Sequence, residues 1–206
     1  MNTKEHWESI YQSKPDESLS WTQPEPVLSL KLITQICPAG QVPPSHILDV
    51  GGGCSVLSER LIDRGYFVTL LDISQAALDR ARTHLVGRAH LVRFLVADIT
   101  ASPGIAPCDV WHDRAVFHFL TEPAQRTAYK ASLLSTLPVG GHAVIGTFAL
   151  DGPEKCSGLL IQRYSPSSLA AELGPQFALL FSESETHMTP WGAPQSFQFS
   201  VFKRSW

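Results

Sequence analysis

The sequence predicts an α/β fold in which a mainly parallel sheet is covered by helices on both faces. Short apolar runs alternate with amphipathic segments over residues 46–148, an order typical of parallel strands joined by helices. A glycine-rich turn follows the first run, and an aspartate lies at the end of each of the first three, at Asp49, Asp72 and Asp98. Because the carboxyl ends of parallel strands share one edge, the sequence predicts a ligand site at that edge.

The composition is that of an ordinary globular protein. The chain has 206 residues, of which 44% are hydrophobic and 17% charged, and its formal net charge is -3. This length suits one domain, and the charge gives no reason to expect nucleic acid or an anionic membrane as a partner. The polar start predicts no signal peptide and no run approaches the ~20 apolar residues of a membrane span, so we expect a cytoplasmic protein. The four cysteines form no C-x-x-C pair, and no metal site is predicted.

Two helices are predicted ahead of the first strand. Residues 4–12 place apolar and aromatic side chains at helical spacing, and a second helix begins near Pro26 and ends near Cys37. Together with the loops around them, these helices are expected to form an N-terminal cap over residues 1–45.

The alternating elements occupy residues 46–150. Ser74 is a typical N-cap and Pro123 a typical first helical residue. The predicted strands cover residues 46–50, 66–71, 91–97, 108–111 and 142–148, and the predicted helices cover residues 56–64, 74–85 and 123–137.

The pattern changes in the last quarter of the chain. A loop over residues 151–158 precedes a helix over residues 165–174, and strands follow over residues 177–183 and 196–204. We expect residues 151–206 to supply the substrate side of the same single domain.

The glycine turn reads Asp49-x-Gly51-x-Gly53-x-Ser55. Glycines at these positions allow the backbone to approach a ligand where a Cβ would clash. The dinucleotide fingerprint needs a third glycine three residues after the second, and Val56 stands there instead. A carboxylate ahead of the turn suits a ligand that carries an ammonium group, so the turn fits a dinucleotide poorly.

Two further aspartates extend this interpretation. Asp72 ends the second strand 19 residues after Gly53, where an acidic side chain accepts hydrogen bonds from a ribose diol. Asp98 follows the third strand. A single aspartate in such a place is more often a helix cap or turn former, but three in phase with a glycine turn favour a positively charged adenosine derivative without a pyrophosphate.

On these motifs the chain resembles the class I S-adenosylmethionine-dependent methyltransferases. Residues 49–55 match the family's glycine motif, Asp72 its ribose-binding acid, Asp98 its adenine-contacting acid, and residues 137–142 its turn before the fifth strand. The resemblance implies a Rossmann-like, doubly wound sheet of seven strands with the last strand antiparallel. It also implies S-adenosylmethionine as cofactor and S-adenosylhomocysteine as product. The implied cofactor-binding residues are Trp21, Asp49, Gly51, Gly53, Ser55, Asp72, Ile73, Asp98, Ile99 and Arg114.

The segment before the first strand is similar to the lead-in of small methyltransferases related to the citrate-synthase and elongation-factor lysine methyltransferases. By that likeness Trp7, Tyr11 and Trp21 close the cofactor pocket, with Trp7 and Tyr11 also reaching the substrate. The alternative is an aromatic cluster that fixes the N-terminal helices to the sheet. The chain departs from the lysine methyltransferases after strand 4, which argues against protein lysine as the acceptor.

The methyl acceptor is expected beyond the end of strand 4, against residues 111–118. His112, Asp113 and His118 are the candidate acid/base residues, because histidine titrates near neutrality and methyl transfer can require removal of a proton. The alternative for the histidines is that they only orient backbone or pack near the cofactor. For Asp113 the favoured alternative is an ion pair with Arg114 that fixes the loop.

The loop over residues 152–158 follows strand 5 at the same edge and is a candidate lid. Cys156 is a candidate ligand for a thiol or metalloid acceptor, although a lone cysteine is not a metal site. Arg163 is a candidate site for an anionic acceptor, and its alternative is an ordinary surface arginine.

The function predicted from the sequence is methyl transfer from S-adenosylmethionine to a small-molecule nucleophile at sulfur, nitrogen or oxygen. The alternatives are a protein methyltransferase acting on lysine, a cofactor-binding regulator without turnover, and a dehydrogenase. The sequence does not identify the acceptor or the oligomeric state.

Overall fold

The computed structural model describes residues 3–206. Its centre is a seven-stranded sheet in the order β3-β2-β1-β4-β5-β9-β8, and a separate two-stranded hairpin is formed by β6 and β7. The strands are β1 (His46–Val50), β2 (Phe67–Asp72), β3 (Val92–Val96), β4 (Val110–Arg114), β5 (His142–Phe148), β6 (Lys155–Cys156), β7 (Leu159–Leu160), β8 (Phe177–Met188) and β9 (Pro194–Arg204). The helices are α1 (Thr3–Ser13), α2 (Val27–Ile36), α3 (Leu57–Ile62), α4 (Gln75–His84), α5 (Pro123–Thr136) and α6 (Pro166–Leu173).

The sheet is doubly wound, and β9 is antiparallel to its neighbours. Strands β1 to β5 pair in parallel, whereas β9 pairs antiparallel with both β5 and β8. The chain winds outward from β1 to β3 and then returns to place β4 on the other side of β1. The carboxyl ends of β1 and β4 therefore lie side by side at the topological switch point, where open α/β sheets bind their ligands. The predicted fold is confirmed.

Strand β4 lies further along the chain than predicted. The prediction placed it over residues 108–111, whereas the strand begins at Val110 and continues to Arg114. His112 pairs in register with Asp49 of β1, and Asp113 pairs with Val50. Polar side chains are tolerated in this central strand because each finds a hydrogen-bonding partner.

The C-terminal segment also differs from the prediction. Strands β8 and β9 each extend further toward the turn between them, and β8 is the outer edge of the sheet with alternating partly exposed residues. The predicted irregular loop after β5 contains the hairpin β6–β7.

Apolar side chains cover both faces of the sheet. One cluster packs α2, α3 and α4 against one face, and a second packs α5 and α6 against the other. A third, smaller cluster joins Ile10 and Tyr11 of α1 to Leu19 and to Ala77 of α4, so it fixes the cap to that helix. Among residues 3–206, no helix has both the length and the apolar character needed to cross a bilayer.

A buried polar chain links β4 to α5. The Nε1–H group of Trp111 donates to the hydroxyl of Tyr129 at 2.7 Å, and that hydroxyl donates to Oδ2 of Asp113 at 2.7 Å. All three side chains are fully buried. Asp113 also accepts hydrogen bonds from the backbone N–H groups of Val116 and Phe117, and it therefore holds the turn after β4.

We predict that Tyr129→Phe lowers the free energy of unfolding by about 3 kcal/mol, because it removes a hydrogen bond to a buried carboxylate and leaves the Trp111 N–H group without an acceptor. Chemical denaturation monitored by circular dichroism measures this. Tyr66→Phe is the matched control, since its hydroxyl makes one partly buried bond of 2.5 Å to the carbonyl of Cys37, and we expect a loss of about 1 kcal/mol. An equal loss of unfolding free energy in the two variants would contradict the proposed role of the Trp111–Tyr129–Asp113 hydrogen bonds.

Candidate functional site

Two adjoining cavities open at the carboxyl edge of the sheet. The first has a volume of about 450 Å³ and the second about 260 Å³. Trp21, Val50, Gly51 and Arg114 line both of them. The first cavity extends toward Asp72 and the end of β3, and the second extends over the glycine turn toward α2.

The glycine turn approaches its neighbours too closely for side chains. Gly51 and Gly53 have φ angles of 63° and 53°, in the left-handed region that glycine adopts without strain. A Cβ on Gly53 would lie 2.3 Å from the hydroxyl of Tyr11 and 3.6 Å from Oδ2 of Asp72. Ser55 lines the second cavity, and its hydroxyl accepts a hydrogen bond from the N–H group of Leu57 at 3.1 Å.

Asp49 is oriented by a hydrogen-bonded chain that reaches into the cap. Its Oδ1 lies 2.7 Å from Nδ1 of His112, and Nε2 of His112 lies 2.9 Å from the hydroxyl of Ser29 in α2. One tautomer satisfies both contacts: Nδ1–H donates to the carboxylate, and Nε2 accepts from the hydroxyl. The three residues are buried and line the second cavity, and Oδ2 of Asp49 has no protein partner. A buried carboxylate oxygen without a donor is suited to a ligand that brings one.

Asp72 and Asp98 bound the first cavity. Oδ1 of Asp72 accepts from the N–H group of Ser74 at 2.9 Å. Burial raises the pKa of the Asp72 carboxyl to about 7, and the nearby charge of Asp49 adds to this effect. Asp98 is exposed and accepts from both the backbone N–H group and the hydroxyl of Thr100, at 2.8 and 2.7 Å. Ile73 and Ile99 line the same cavity.

Arg114 stands between the two cavities. Its Nη1 donates to the carbonyl of Trp21 at 3.0 Å, and its Cζ lies 4.9 Å from the ring centroid of Phe197. The Nε and Nη2 atoms are buried and have no partner. Burial lowers the pKa of Arg114 to about 10, although Glu185 acts against this shift. Among the described residues Arg114 forms no ion pair with Asp113, so the predicted Asp113–Arg114 pair is wrong: Asp113 is bound by Tyr129 and the turn instead.

The aromatic residues of the lead-in both pack together and line the first cavity. Trp7 and Tyr11 each make an edge contact with Trp21, with ring centroids 5.6 and 6.0 Å apart. Trp7 also contacts Phe119 at 5.0 Å. The two alternatives posed by the sequence, a pocket wall and an aromatic cluster, are thus the same arrangement.

Three hydrogen bonds from two strands hold the lead-in loop over the cavities. Besides the contact of Arg114 with Trp21, Nε2 of His187 donates to the carbonyl of Ser20 at 2.7 Å. The side chain of Gln23 donates to Glu185 at 3.2 Å. Strands β4 and β8 therefore cooperate in closing the site.

Of the two candidate residues after strand β5, Cys156 lines the first cavity and Arg163 does not. Cys156 is buried and lines the first cavity, and burial raises the pKa of its thiol. Arg163 lines neither cavity, because it donates to the carbonyl of Gly152 and to Glu154, both at 3.0 Å. This position does not fit the predicted binding of an anionic acceptor.

His118 and Asp113 also line neither cavity. His118 is fully buried, accepts from the N–H group of Phe148 at 3.3 Å, and packs against the rings of Phe119 and Phe148. Burial lowers its pKa to about 3, so the ring is neutral at physiological pH. Burial raises the pKa of Asp113 to about 6. Without access to an acceptor, neither group is placed for the acid/base role predicted for it.

Sequence reasoning did not find several residues of the site. Ser29, the partner of His112, lies among apolar residues of α2, and a lone serine on the buried face of an amphipathic helix was the available signal. Phe119, Leu159 and Leu160 line the first cavity from the turn after β4 and from the hairpin. Among residues 3–206, no group of three or more His, Cys, Asp or Glu side chains is arranged to hold a metal ion.

Comparisons with known proteins agree with this geometry. Residues 47–141 match the family described as methyltransferase domain. Nodulation protein S of Rhizobium tropici is 27% identical over 107 residues, which are 52% of this chain and 44% of that protein. The match therefore spans less than half the length of that relative.

Solved structures share the fold over nearly the whole chain. The Burkholderia thailandensis 1,6-didemethyltoxoflavin-N1-methyltransferase, solved with bound 1,6-didemethyltoxoflavin and S-adenosylhomocysteine, superposes with a TM-score of 0.73 at 17% identity, covering 98% of this chain and 87% of that one. The N-methyltransferase NodS of Bradyrhizobium japonicum, also with S-adenosylhomocysteine, gives a TM-score of 0.72 at 15% identity, covering 98% and 99%. These findings agree with the resemblance predicted from the sequence: residues 47–141 match a methyltransferase domain, and the chain shares its fold with solved methyltransferases that bind S-adenosylhomocysteine.

Proposed function

We propose that this protein transfers the methyl group of S-adenosylmethionine to a small-molecule nucleophile. The observation that carries the proposal is the extent of the first cavity. It continues from Asp72 and Ile99, which belong to the cofactor motifs, to an apolar wall formed by Trp7, Phe119 and Leu160, which do not. The cap covers this extension, and a covered pocket of this volume suits a small acceptor.

The residues present fit the cofactor. Gly51 and Gly53 let the turn pack directly against Val116 and Tyr11, which line the first cavity. The free Oδ2 of Asp49 is suited to the ammonium group, and Asp72 is suited to the ribose hydroxyls. Asp98 and Ile99 lie where the resemblance implies an adenine contact. S-adenosylmethionine, when bound, supplies an electrophilic methyl group on its sulfonium sulfur.

The contribution of the protein itself is positioning and exclusion of water. Trp7, Tyr11 and Trp21 cover the cavity, and His112 holds the carboxylate of Asp49 rather than facing the acceptor wall. Aligning two reactants in a closed pocket removes much of the entropic barrier to a displacement reaction. This arrangement supports transfer to an acceptor whose attacking atom already carries a free electron pair, such as the nitrogen of an amine or the sulfur of a thiolate.

The relatives give independent support for a small acceptor. The toxoflavin enzyme and NodS are both named as N-methyltransferases, and the former is described with a small heterocycle bound. The protein-lysine alternative requires an open channel for a side chain, whereas Trp7 and Trp21 pack edge to face across this site.

The test is transfer of label from S-adenosylmethionine with a radioactive methyl group. We expect label to enter the small-molecule fraction of a cell extract and not the protein fraction, because the capped pocket admits only small acceptors. Asp72→Ala should abolish transfer, and Asp79→Ala, an exposed carboxylate on α4, is the matched control. Labelling of protein alone would favour the lysine alternative, and binding of cofactor without transfer to either fraction would favour a regulator.

We predict that Gly53→Ala weakens binding of S-adenosylhomocysteine by about tenfold or more. The added methyl group would lie 2.3 Å from the hydroxyl of Tyr11 and would displace this residue from the wall of the first cavity, and overpacking costs about 1–3 kcal/mol. Isothermal titration calorimetry measures the change. Gly104→Ala is the control, since Gly104 has a similar φ of 63° but a Cβ added there would meet no atom within 4 Å. Both variants carry similar backbone strain, so an equal loss of affinity would show that the close packing of Gly53 against Tyr11 does not matter for binding.

We predict that the affinity for S-adenosylhomocysteine falls as the pH is lowered from 8 to 6. Ribose hydroxyls donate to the charged form of Asp72, whose pKa in the free protein is about 7, so each pH unit below that value costs up to about tenfold in affinity. The contribution of Asp72 to stability has the opposite sign. The fold favours the neutral carboxyl, so that contribution is complete below about pH 4 and is lost as the pH rises through about 7.

Calorimetric titrations at several pH values measure the first effect, and Asp72→Asn should remove it. An unchanged pH dependence in that variant would assign the proton to another group.

A further inference from the structure

The guanidinium of Arg114, a residue that lines both cavities, has one edge without a hydrogen-bonding partner. Its Nη1 is taken by the carbonyl of Trp21, whereas Nε and Nη2 are buried without a partner. These two atoms form the side of the guanidinium on which two N–H groups point in parallel. That edge matches the two oxygens of a carboxylate, and burying it without an acceptor is costly.

The surroundings of this edge belong to the acceptor side of the site. Apart from the weaker charge of Asp49, the groups around it are Phe197, which lies under the guanidinium, Glu185, whose charge acts on the pKa of Arg114, and Cys156, which lines the first cavity with it. All three come from the C-terminal segment, whereas the ribose and adenine positions at Asp72 and Asp98 lie on β2 and after β3. Glu185 does not satisfy the edge, because among the described residues Arg114 has no acid within ion-pairing distance and the carboxylate of Glu185 accepts from Gln23.

The rest of the first cavity is mostly apolar near Arg114. Trp7, Phe119, Leu159 and Leu160 supply aromatic and aliphatic surface, and Cys156 adds a thiol kept neutral by burial. A ligand that fills this space with an apolar body and meets Arg114 with an anionic end would satisfy both environments.

We propose that Arg114 binds the carboxylate of the methyl acceptor through Nε and Nη2, so that the acceptor is a small organic acid with an apolar body. The assignment of an acceptor rests on the proposed function. The sequence prediction instead placed Arg114 among the cofactor-binding residues, which would pair it with the carboxylate of the cofactor's amino-acid end.

The binding experiment uses acids and their neutral amides as probes, so that activity is not needed. Benzoate is compared with benzamide, and butyrate with butyramide, by calorimetry with the whole chain, both alone and saturated with S-adenosylhomocysteine. We expect at least one acid to bind tenfold or more tightly than its amide. A tenfold difference in Kd corresponds to about 1.4 kcal/mol of binding free energy. Arg114→Gln should remove this preference, and Arg114→Lys, which keeps the charge without the paired donors, should lose most of it.

Arg93→Gln is the control, because Arg93 is an exposed arginine on β3. This variant should prefer each acid over its amide as strongly as the wild type does. Equal binding of each acid and amide, absence of binding by all four probes, or a preference that survives in Arg114→Gln would overturn the proposal.

A second arm separates the acceptor from the cofactor. Arg114→Gln is titrated with S-adenosylhomocysteine and with 5′-methylthioadenosine, which lacks the amino-acid end. On our proposal the variant loses no more affinity for S-adenosylhomocysteine than for 5′-methylthioadenosine, because the lost contact with Trp21 affects both nucleosides alike. A selective loss for S-adenosylhomocysteine would overturn it and assign Arg114 to the cofactor. If the wild-type protein binds neither nucleoside, the proposed function fails, while the acid preference measured without cofactor still tests the anion site.

Discussion

The hydrogen bond between Asp49 and His112 joins β1 to β4 at the point where the strand order reverses. It fixes one oxygen of the carboxylate and leaves the other free at the floor of the second cavity. Because His112 is itself held by Ser29 of α2, the cap helix takes part in orienting a residue of the glycine motif. Sheet, turn and cap therefore depend on one buried polar contact, and a change in any of its three members leaves a buried group unsatisfied.

Strand β4 separates structural from ligand-facing roles by simple alternation. Successive side chains of a strand point to opposite faces, so Trp111 and Asp113 share one face and meet Tyr129 of α5. His112 and Arg114 share the other face and reach the cavities. The candidate acid/base residues His112 and Asp113 therefore lie on opposite faces of the sheet. A loop in place of this strand would not have separated them.

The sequence was sufficient for the sheet, the glycine turn and the acidic edge, because apolar periodicity and glycine spacing are local signals. Residues 46–50 and 142–148 were predicted with the observed bounds of β1 and β5. The end of β4 was missed because its polar residues are stabilised by partners far along the chain, such as Tyr129 and Ser29. The acceptor wall was only partly found, since Leu159 and Leu160 reach the cavity through a hairpin whose position depends on tertiary packing.

The closure of the lead-in loop has a consequence for the order of events during synthesis. Gln23 and Ser20 are held by Glu185 and His187, across separations of 162 and 167 residues. Once residues 47–141 have left the ribosome, β1 to β4 and α5 are available to pair and pack, and Arg114 of β4 is available to hold Trp21. Strand β8 has not yet been made at that stage, so two of the three hydrogen bonds that hold the lead-in loop form only after residues 185–187 have emerged.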